Sequence, residues 1–288
     1  MELIRSAADL TEAADERRLA GADVGFVATM GALHDGHASL IHRARTERDV
    51  VVVSIFVNPL QFGPDEDLDR YPRDEAADVA LCESLGADIV WAPPADEVYP
   101  PGVPLLIDDV ACDPGPVGDL FEGAARPGHF AGVLTAVRRL LDVVGACAAY
   151  FGEKDAQQLF LIRRMVDRLP LAVTVVPCAT VREPDGLALS SRNAYLSSEE
   201  REQAGCLFLG LSEAAMLARS GERDPAVLIA AMAREVGATP LASLDYAAVI
   251  DEATFTPISA LDRPARALIA ARFPSARLID NLRLPTAG

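Results

Sequence analysis

Apolar, β-branched runs alternate with helical patterns along the first two-thirds of the chain, and no other feature restricts the possible folds as sharply. Gly25 to Ala28, Val50 to Val57, Ala87 to Ala92, Ala148 to Gly152 and Leu171 to Pro177 read as buried strands. Ala7 to Leu19, Gly36 to Arg48, Arg73 to Leu85, Ala131 to Val144 and Asp155 to Arg168 carry helical periodicity. Such alternation implies a mostly parallel sheet with helices on both faces. From about Cys178 the pattern changes. Helical stretches near Ser197 to Ser220 and Asp224 to Glu235 precede three short strands near Asp245 to Ile250, Ala267 to Arg272 and Ala276 to Asn281. The expected division is a larger domain over residues 1–177 and a smaller α+β domain over 178–288. Pro184-Asp185-Gly186 supplies the turn chemistry for a loop at their junction. There is no internal repeat and no low-complexity tract.

Composition narrows the function classes. Half of the 288 residues are apolar, enough to build cores and to exclude disorder. No window reaches the roughly 18 consecutive apolar residues that span a bilayer, and the opening stretch lacks the apolar centre of a signal peptide. A cytoplasmic protein with no membrane partner is expected. The five cysteines, Cys82, Cys112, Cys147, Cys178 and Cys206, are too widely spaced for a zinc knuckle or a redox pair. Buried, inert thiols are expected. A formal charge of −17 repels polyphosphate at long range and makes a nucleic-acid partner improbable. An anionic substrate would then need a few well-placed cations, and the chain holds a single lysine, Lys154.

Four strings place polar chemistry at predicted carboxyl ends of strands or near the domain junction. Ligands bind beyond the carboxyl ends of strands in a parallel α/β sheet. The first string, Thr29-Met30-Gly31-Ala32-Leu33-His34-Asp35-Gly36-His37, joins a strand to a helix. Its two imidazoles can donate to an α-phosphate beside the helix amides, and its glycines allow a phosphate to approach the backbone. A zinc reading is weaker because no third ligand is nearby. The second runs from Ser54 to Gly63, where Asn58 and Gln61 are neutral amides able to bind the oxygens of a small acid; taken singly it is also an ordinary Asn-Pro turn. The third is Phe151-Gly152-Glu153-Lys154-Asp155-Ala156-Gln157-Gln158-Leu159. Lys154 can neutralise phosphate charge, Asp155 can cap the next helix and reach a ribose or a metal, and Gln158 lies about one turn into that helix. A plain surface ion pair is the competing reading for this lysine. The fourth string runs from Val181 to Asn193, where Ser190, Ser191 and Arg192 compose a polyphosphate clamp or a polar loop. Ser197-Ser198-Glu199-Glu200 has the spacing of a capping box and reads as structural.

Together, and in this order, the strings resemble those of the pantoate–β-alanine ligase (pantothenate synthetase) family within the HxGH nucleotidyltransferase superfamily. The resemblance runs from about residue 24 to about residue 283. It extends to Tyr71-Pro72-Arg73 and to the string from Arg126 to Thr135, whose His129 stays outside the core site. It implies a Rossmann-like, doubly wound parallel sheet with the smaller C-terminal α+β domain acting as a lid over ATP. It also implies an ATP- and magnesium-dependent ligase that joins pantoate to β-alanine through a pantoyl adenylate, working as a homodimer. His37, His34 and Lys154 would be catalytic. ATP would meet Met30, Gly31, Ala32, Leu33, His34, Asp35, Gly36 and His37, then Gly152, Glu153, Lys154 and Asp155, then Val181, Leu189, Ser190, Ser191 and Arg192. Gln61 and Gln158 would grip pantoate, and Gln61 also β-alanine. The magnesium ligands are unassigned. Three positions depart from the family pattern: Ala28 for a proline, Leu189 for a methionine and Ala156 for an aromatic residue. Two other functions are compatible with part of the pattern: a nucleotidyltransferase acting on a phosphorylated substrate, and a nucleotide-binding regulatory protein without turnover.

Overall fold

The main sheet of the computed structural model, which describes residues 1–64 and 66–286, is built from six strands. They are β1 (Glu2–Ile4), β2 (Val24–Thr29), β3 (Val50–Ile55), β4 (Ile89–Trp91), β5 (Cys147–Gly152) and β6 (Val173–Cys178). Every pairing is parallel, and the order is β1-β4-β3-β2-β5-β6. The order reverses direction between β2 and β5, which makes the carboxyl ends of these two strands the topological switch point. Val51, Val52 and Val53 are fully buried, each worth about 1.5–3 kcal/mol of transfer free energy before chain entropy is set against it. The sequence pattern missed β1, an edge strand of three residues too short to show a period.

Helices α1 (Ala7–Leu19), α2 (Asp35–Glu47), α3 (Glu75–Ser84), α4 (Ala95–Val98), α5 (Glu122–Ala125), α6 (His129–Val144) and α7 (Ala156–Val166) connect these strands. Leu40, Ile41 and Ala44 of α2 and Cys82 of α3 pack on Val27, Val53, Val90 and Tyr150. The alternate strand residues Phe26, Val52 and Ile89 are equally buried and point to the opposite face. There α1 and α6 pack together, with Thr11 Oγ1 donating to the Val143 carbonyl at 2.9 Å. Local chemistry moves several helix starts from their expected places. Asp74 caps α3 by accepting from the Ala77 amide at 3.1 Å, so the helix begins two residues after Arg73. Gly128, at φ 82°, turns the chain so that α6 already begins at His129.

The chain divides into two compact units, Met1–Glu153 with Gln157–Ala179, and Lys154–Ala156 with the residues from Thr180 onward. The expected smaller domain thus gains Lys154, Asp155 and Ala156 and loses Cys178 and Ala179 to the larger unit, while its last two residues, 287 and 288, lie outside the described residues. Within this second unit, β7 (Ser243–Asp251), β8 (Ala265–Arg272) and β9 (Arg277–Leu284) form an antiparallel sheet in that order. The stretch expected as one helix from Ser197 splits into α8 (Ser198–Gln203) and α9 (Cys206–Arg219), and α10 (Pro225–Gly237) follows. Leu207, Leu211 and Ala214 from α9 and Leu228 and Met232 from α10 close over Val249, Ala267 and Ile269 of the sheet. Ser197 and Glu200 form the capping box that starts α8. All five cysteines are buried and free. No helix among the described residues is long and apolar enough to cross a membrane.

Candidate active site

The loop from β2 into α2 carries the first string, and side chains hold it at every step. Thr29 Oγ1 donates to the Ser54 carbonyl at 2.7 Å and accepts from the Gly31 amide at 3.3 Å. Gly31 and Ala32 then follow in left-handed backbone, at φ 79° and 51°. For alanine that conformation is strained and needs support. Asp78, on α3 and 5% exposed, provides it. Its two oxygens accept from the Ala32 and Leu33 amides at 2.9 and 2.7 Å. A Cβ at position 31 would lie 2.8 Å from Asp78 Oδ2, so the carboxylate also requires glycine there.

His34 is the N-cap of α2, its Nδ1 accepting from the Gly36 amide at 3.1 Å. In the neutral ring the proton is therefore on Nε2, which leaves that nitrogen a donor. The His34 and His37 rings lie 4.2 Å apart, centroid to centroid, and tilted by 38°. Two imidazoles thus sit side by side at the positive end of a thirteen-residue helix, an arrangement that attracts an anion.

Beyond the end of β3, Asn58 is 2% exposed and its hydrogen-bonding capacity is fully used. Oδ1 accepts from the Leu60 amide at 3.1 Å and from the Tyr99 hydroxyl at 2.6 Å, while Nδ2 donates to the Gly132 carbonyl at 3.2 Å and to Gln61 Oε1 at 3.0 Å. The expectation that Asn58 itself binds acid oxygens is thereby replaced by a supporting role. It holds the Gln61 side-chain Oε1 toward itself, and Gln61 Nε2 reaches Met30 Sδ at 2.9 Å. Two sequence-predicted residues, Met30 and Gln61, are in this way brought together. Gly132 makes the arrangement possible, because a Cβ there would lie 2.1 Å from the Leu60 carbonyl oxygen.

The Gln61 backbone is fixed by a second cluster that sequence reasoning left off the site. His129 Nδ1 lies 2.8 Å from the Gln61 carbonyl, and Arg126 Nη2 donates to the same oxygen at 3.1 Å. Arg126 also pairs with Glu66 at 2.6 Å and reaches His129 Nε2 at 3.0 Å. Burial, and then the positive charge of Arg126, push the His129 pKa down to about 4. Arg126 holds the Glu66 carboxyl below its ordinary range against the opposing effect of burial. Gln158 is half-buried on α7, Gly152 ends β5, and Glu153 opens the 3-10 turn that follows.

The remaining predicted residues belong to the second unit. Lys154 and Asp155 lie in a 3-10 turn, with Nζ 3.6 Å from Asp155 Oδ1 and the lysine side chain 19% exposed. Val181 and Leu189 face each other across a small hairpin, the Leu189 amide donating to the Val181 carbonyl at 3.0 Å. Ser190 caps the turn Ser191–Tyr195, its Oγ accepting from the Arg192 amide at 3.3 Å. Arg182, in the same string, is structural: both its arms clamp Asp280 at 2.5 and 2.9 Å. No group of three His, Cys, Asp or Glu side chains among the described residues is placed to hold a metal ion.

Comparison with known proteins adds a separate line of observation. The family model described as pantoate-beta-alanine ligase matches residues 2–283. A pantothenate synthetase of Agrobacterium fabrum is 49% identical over 282 residues, covering 98% of this chain and 95% of its own. The crystal structure of pantothenate synthetase from Thermus thermophilus superposes with a TM-score of 0.91 at 46% identity, covering 99% of this chain and 100% of that one. Pantoate-beta-alanine ligase from Francisella tularensis, solved in complex with beta-gamma ATP and beta-alanine, superposes at 0.80 with 32% identity, over 98% of this chain and 97% of that one.

Proposed function

We infer the reaction from one premise: the chain belongs to the pantoate–β-alanine ligase family. On that premise it condenses pantoate with β-alanine at the expense of ATP, giving pantothenate, AMP and pyrophosphate. The observation that carries the residue-level reading is the pairing of His34 with His37 at the N-terminus of α2, on the switch-point edge of the sheet. Phosphoryl-type transfer asks for positioning and charge neutralisation rather than a covalent protein nucleophile.

A pantoate carboxylate oxygen attacks the α-phosphorus, and the bond to the β-phosphate oxygen breaks with release of pyrophosphate. His37 donates to the charge that builds on the α-phosphate, and the Nε2 proton of His34 supports it. ATP lies along Met30, Gly31, Ala32, Leu33, Asp35 and Gly36, with Gly152, Glu153 and Asp155 beside it and adenine on the Val181 backbone near Leu189. Lys154, Ser190, Ser191 and Arg192 take the polyphosphate oxygens. Gln61, oriented by Asn58, donates through Nε2 to pantoate together with Gln158, and then guides β-alanine. The amine attacks the acyl carbon, the acyl–oxygen bond breaks, and AMP leaves with that oxygen.

Magnesium fits as the partner of the triphosphate. This ion is commonly held by substrate phosphates, waters and one or two carboxylates, which suits a chain without a three-ligand cluster among its described residues. Bound there, it would neutralise pyrophosphate charge, and Asp155, whose Oδ1 lies 3.6 Å from Lys154 Nζ, is the carboxylate that would hold it. The same reading makes the protein a cytoplasmic homodimer, and a monomer by sedimentation at micromolar concentration would contradict the dimer.

Purified protein supplied with ATP, magnesium and pantoate should release pyrophosphate, and adding β-alanine should yield AMP and pantothenate in equal amounts. Formation of ADP and orthophosphate, or turnover independent of the acid, would sink this reading.

A further inference from the structure

The single lysine is held from behind by the last strand of its own unit. Asn281, on β9, is 4% exposed. Its Nδ2 donates to the Lys154 carbonyl at 2.8 Å, and its Oδ1 accepts from Arg266 Nη1 on β8. A guanidinium only donates and a peptide carbonyl only accepts, so these two neighbours determine which end of the Asn281 amide faces which. Arg266 is held in turn by Glu252, whose Oε1 accepts from Nε at 3.0 Å and lies 2.9 Å from Nη2. The Asn281 backbone N–H donates to Asp280 Oδ1 at 2.7 Å, on the carboxylate that Arg182 clamps.

A buried polar chain of this kind is expensive unless every member is satisfied, and apolar side chains would pack a small sheet at least as well. This network ends on the backbone of the single lysine, Lys154. A lysine ammonium swings on four carbons, so its reach is defined only if its backbone is fixed. We propose that Asn281 is a positioning residue: through the Lys154 carbonyl it sets where the ammonium group can reach, and so controls the adenylation step. The proposal rests on the polyphosphate role given to Lys154 above.

The test compares adenylation, measured as pantoate-dependent exchange between ATP and pyrophosphate, with attack of β-alanine on enzyme-formed pantoyl adenylate in a single turnover. Asn281→Asp keeps the acceptor for Arg266 and removes the donor to Lys154. Asn281→Ala removes the same bond without adding charge. Both should lower the adenylation rate about 10- to 100-fold, the loss expected when a positioned group moves by about 1 Å. The amine step should stay within roughly twofold of wild type and the KM for pantoate should not move. Arg283→Gln, which breaks a 2.9 Å contact to Glu252 at the exposed edge of the same network, should lower thermal stability and leave adenylation intact. Two results overturn the proposal: wild-type adenylation in folded Asn281→Ala and Asn281→Asp, or equal slowing of both steps. Lys154→Met, run alongside, separates the two levels. Normal adenylation in that variant would remove the lysine's role and the proposal with it, whereas slow Lys154→Met beside normal Asn281→Ala overturns the proposal alone.

Discussion

Acid should weaken the larger unit through His129, by an amount that follows from the ring's surroundings. His129 is 8% exposed and lies between the Gln61 carbonyl, at 2.8 Å from Nδ1, and Arg126 Nη1, at 3.0 Å from Nε2. The carbonyl can only accept and the guanidinium can only donate, so the ring is neutral with its proton on Nδ1. A second proton on Nε2 would confront the Arg126 N–H. Glu66 and Glu122 favour the cation, but burial and Arg126 outweigh them and bring the pKa from 6.5 to about 4. The unfolded chain therefore binds a proton that the folded chain refuses between these values, and stability falls as pH falls through that window. At 1.36 kcal/mol per pH unit the full effect is about 3 kcal/mol, of which about 2 kcal/mol is lost between about pH 7 and about pH 5. Urea unfolding of wild type and His129→Gln across this range isolates the contribution, since other groups titrate alike in both proteins. The stability difference between them should shrink by about 2 kcal/mol on acidification. A difference that stays constant from neutral to acid pH would refute the assignment of a neutral, buried ring.

Two further perturbations address the frame of the candidate site. Asp78→Asn keeps the shape of the side chain but turns an amide NH2 group toward a backbone N–H, so it should destabilise by about 2–3 kcal/mol in urea titrations and slow adenylation; unchanged stability would show that the Ala32 and Leu33 amides do not depend on it. Gly132→Ala forces a methyl group against the Leu60 carbonyl, at 2.1 Å before relaxation. It should cost about 1–3 kcal/mol and raise the KM for pantoate by displacing Gln61, and a wild-type KM would separate that contact from acid binding.

The strands and the chemistry at their ends are legible because both are local. Val50 to Val57 is an apolar run interrupted only by Ser54 and followed by polar Asn58, and Thr29 to His37 announces its turn through glycines and its helix through His34 and Asp35. What supports these residues is hidden, because it comes from distant positions. Asp78 reads as an ordinary polar residue of an amphipathic helix, and only the packing of α3 brings it under Ala32, 46 residues earlier. Tyr99 lies beside a proline-rich excursion, yet its hydroxyl completes the Asn58 network across 41 residues. Glu66, Arg126 and His129 converge on Gln61 through tertiary contacts that no spacing rule contains. Asn58 misleads for the same reason. Its type suits ligand binding, but its surroundings consume every donor and acceptor it has. The expected start of β6 at Leu171, ahead of its actual start at Val173, and the edge strand β1 show the complementary failure, where a short or frayed strand carries too little pattern to place its ends.

An acyl-adenylate route makes one demand that no other ATP-driven amide synthesis shares: an oxygen of the acid must leave with AMP. Pantoate labelled with oxygen-18 in its carboxylate, turned over with ATP and β-alanine, should yield AMP carrying one labelled oxygen on its phosphate and unlabelled pyrophosphate. Label appearing in orthophosphate alongside ADP, or AMP free of label, would contradict the reaction assigned to this chain.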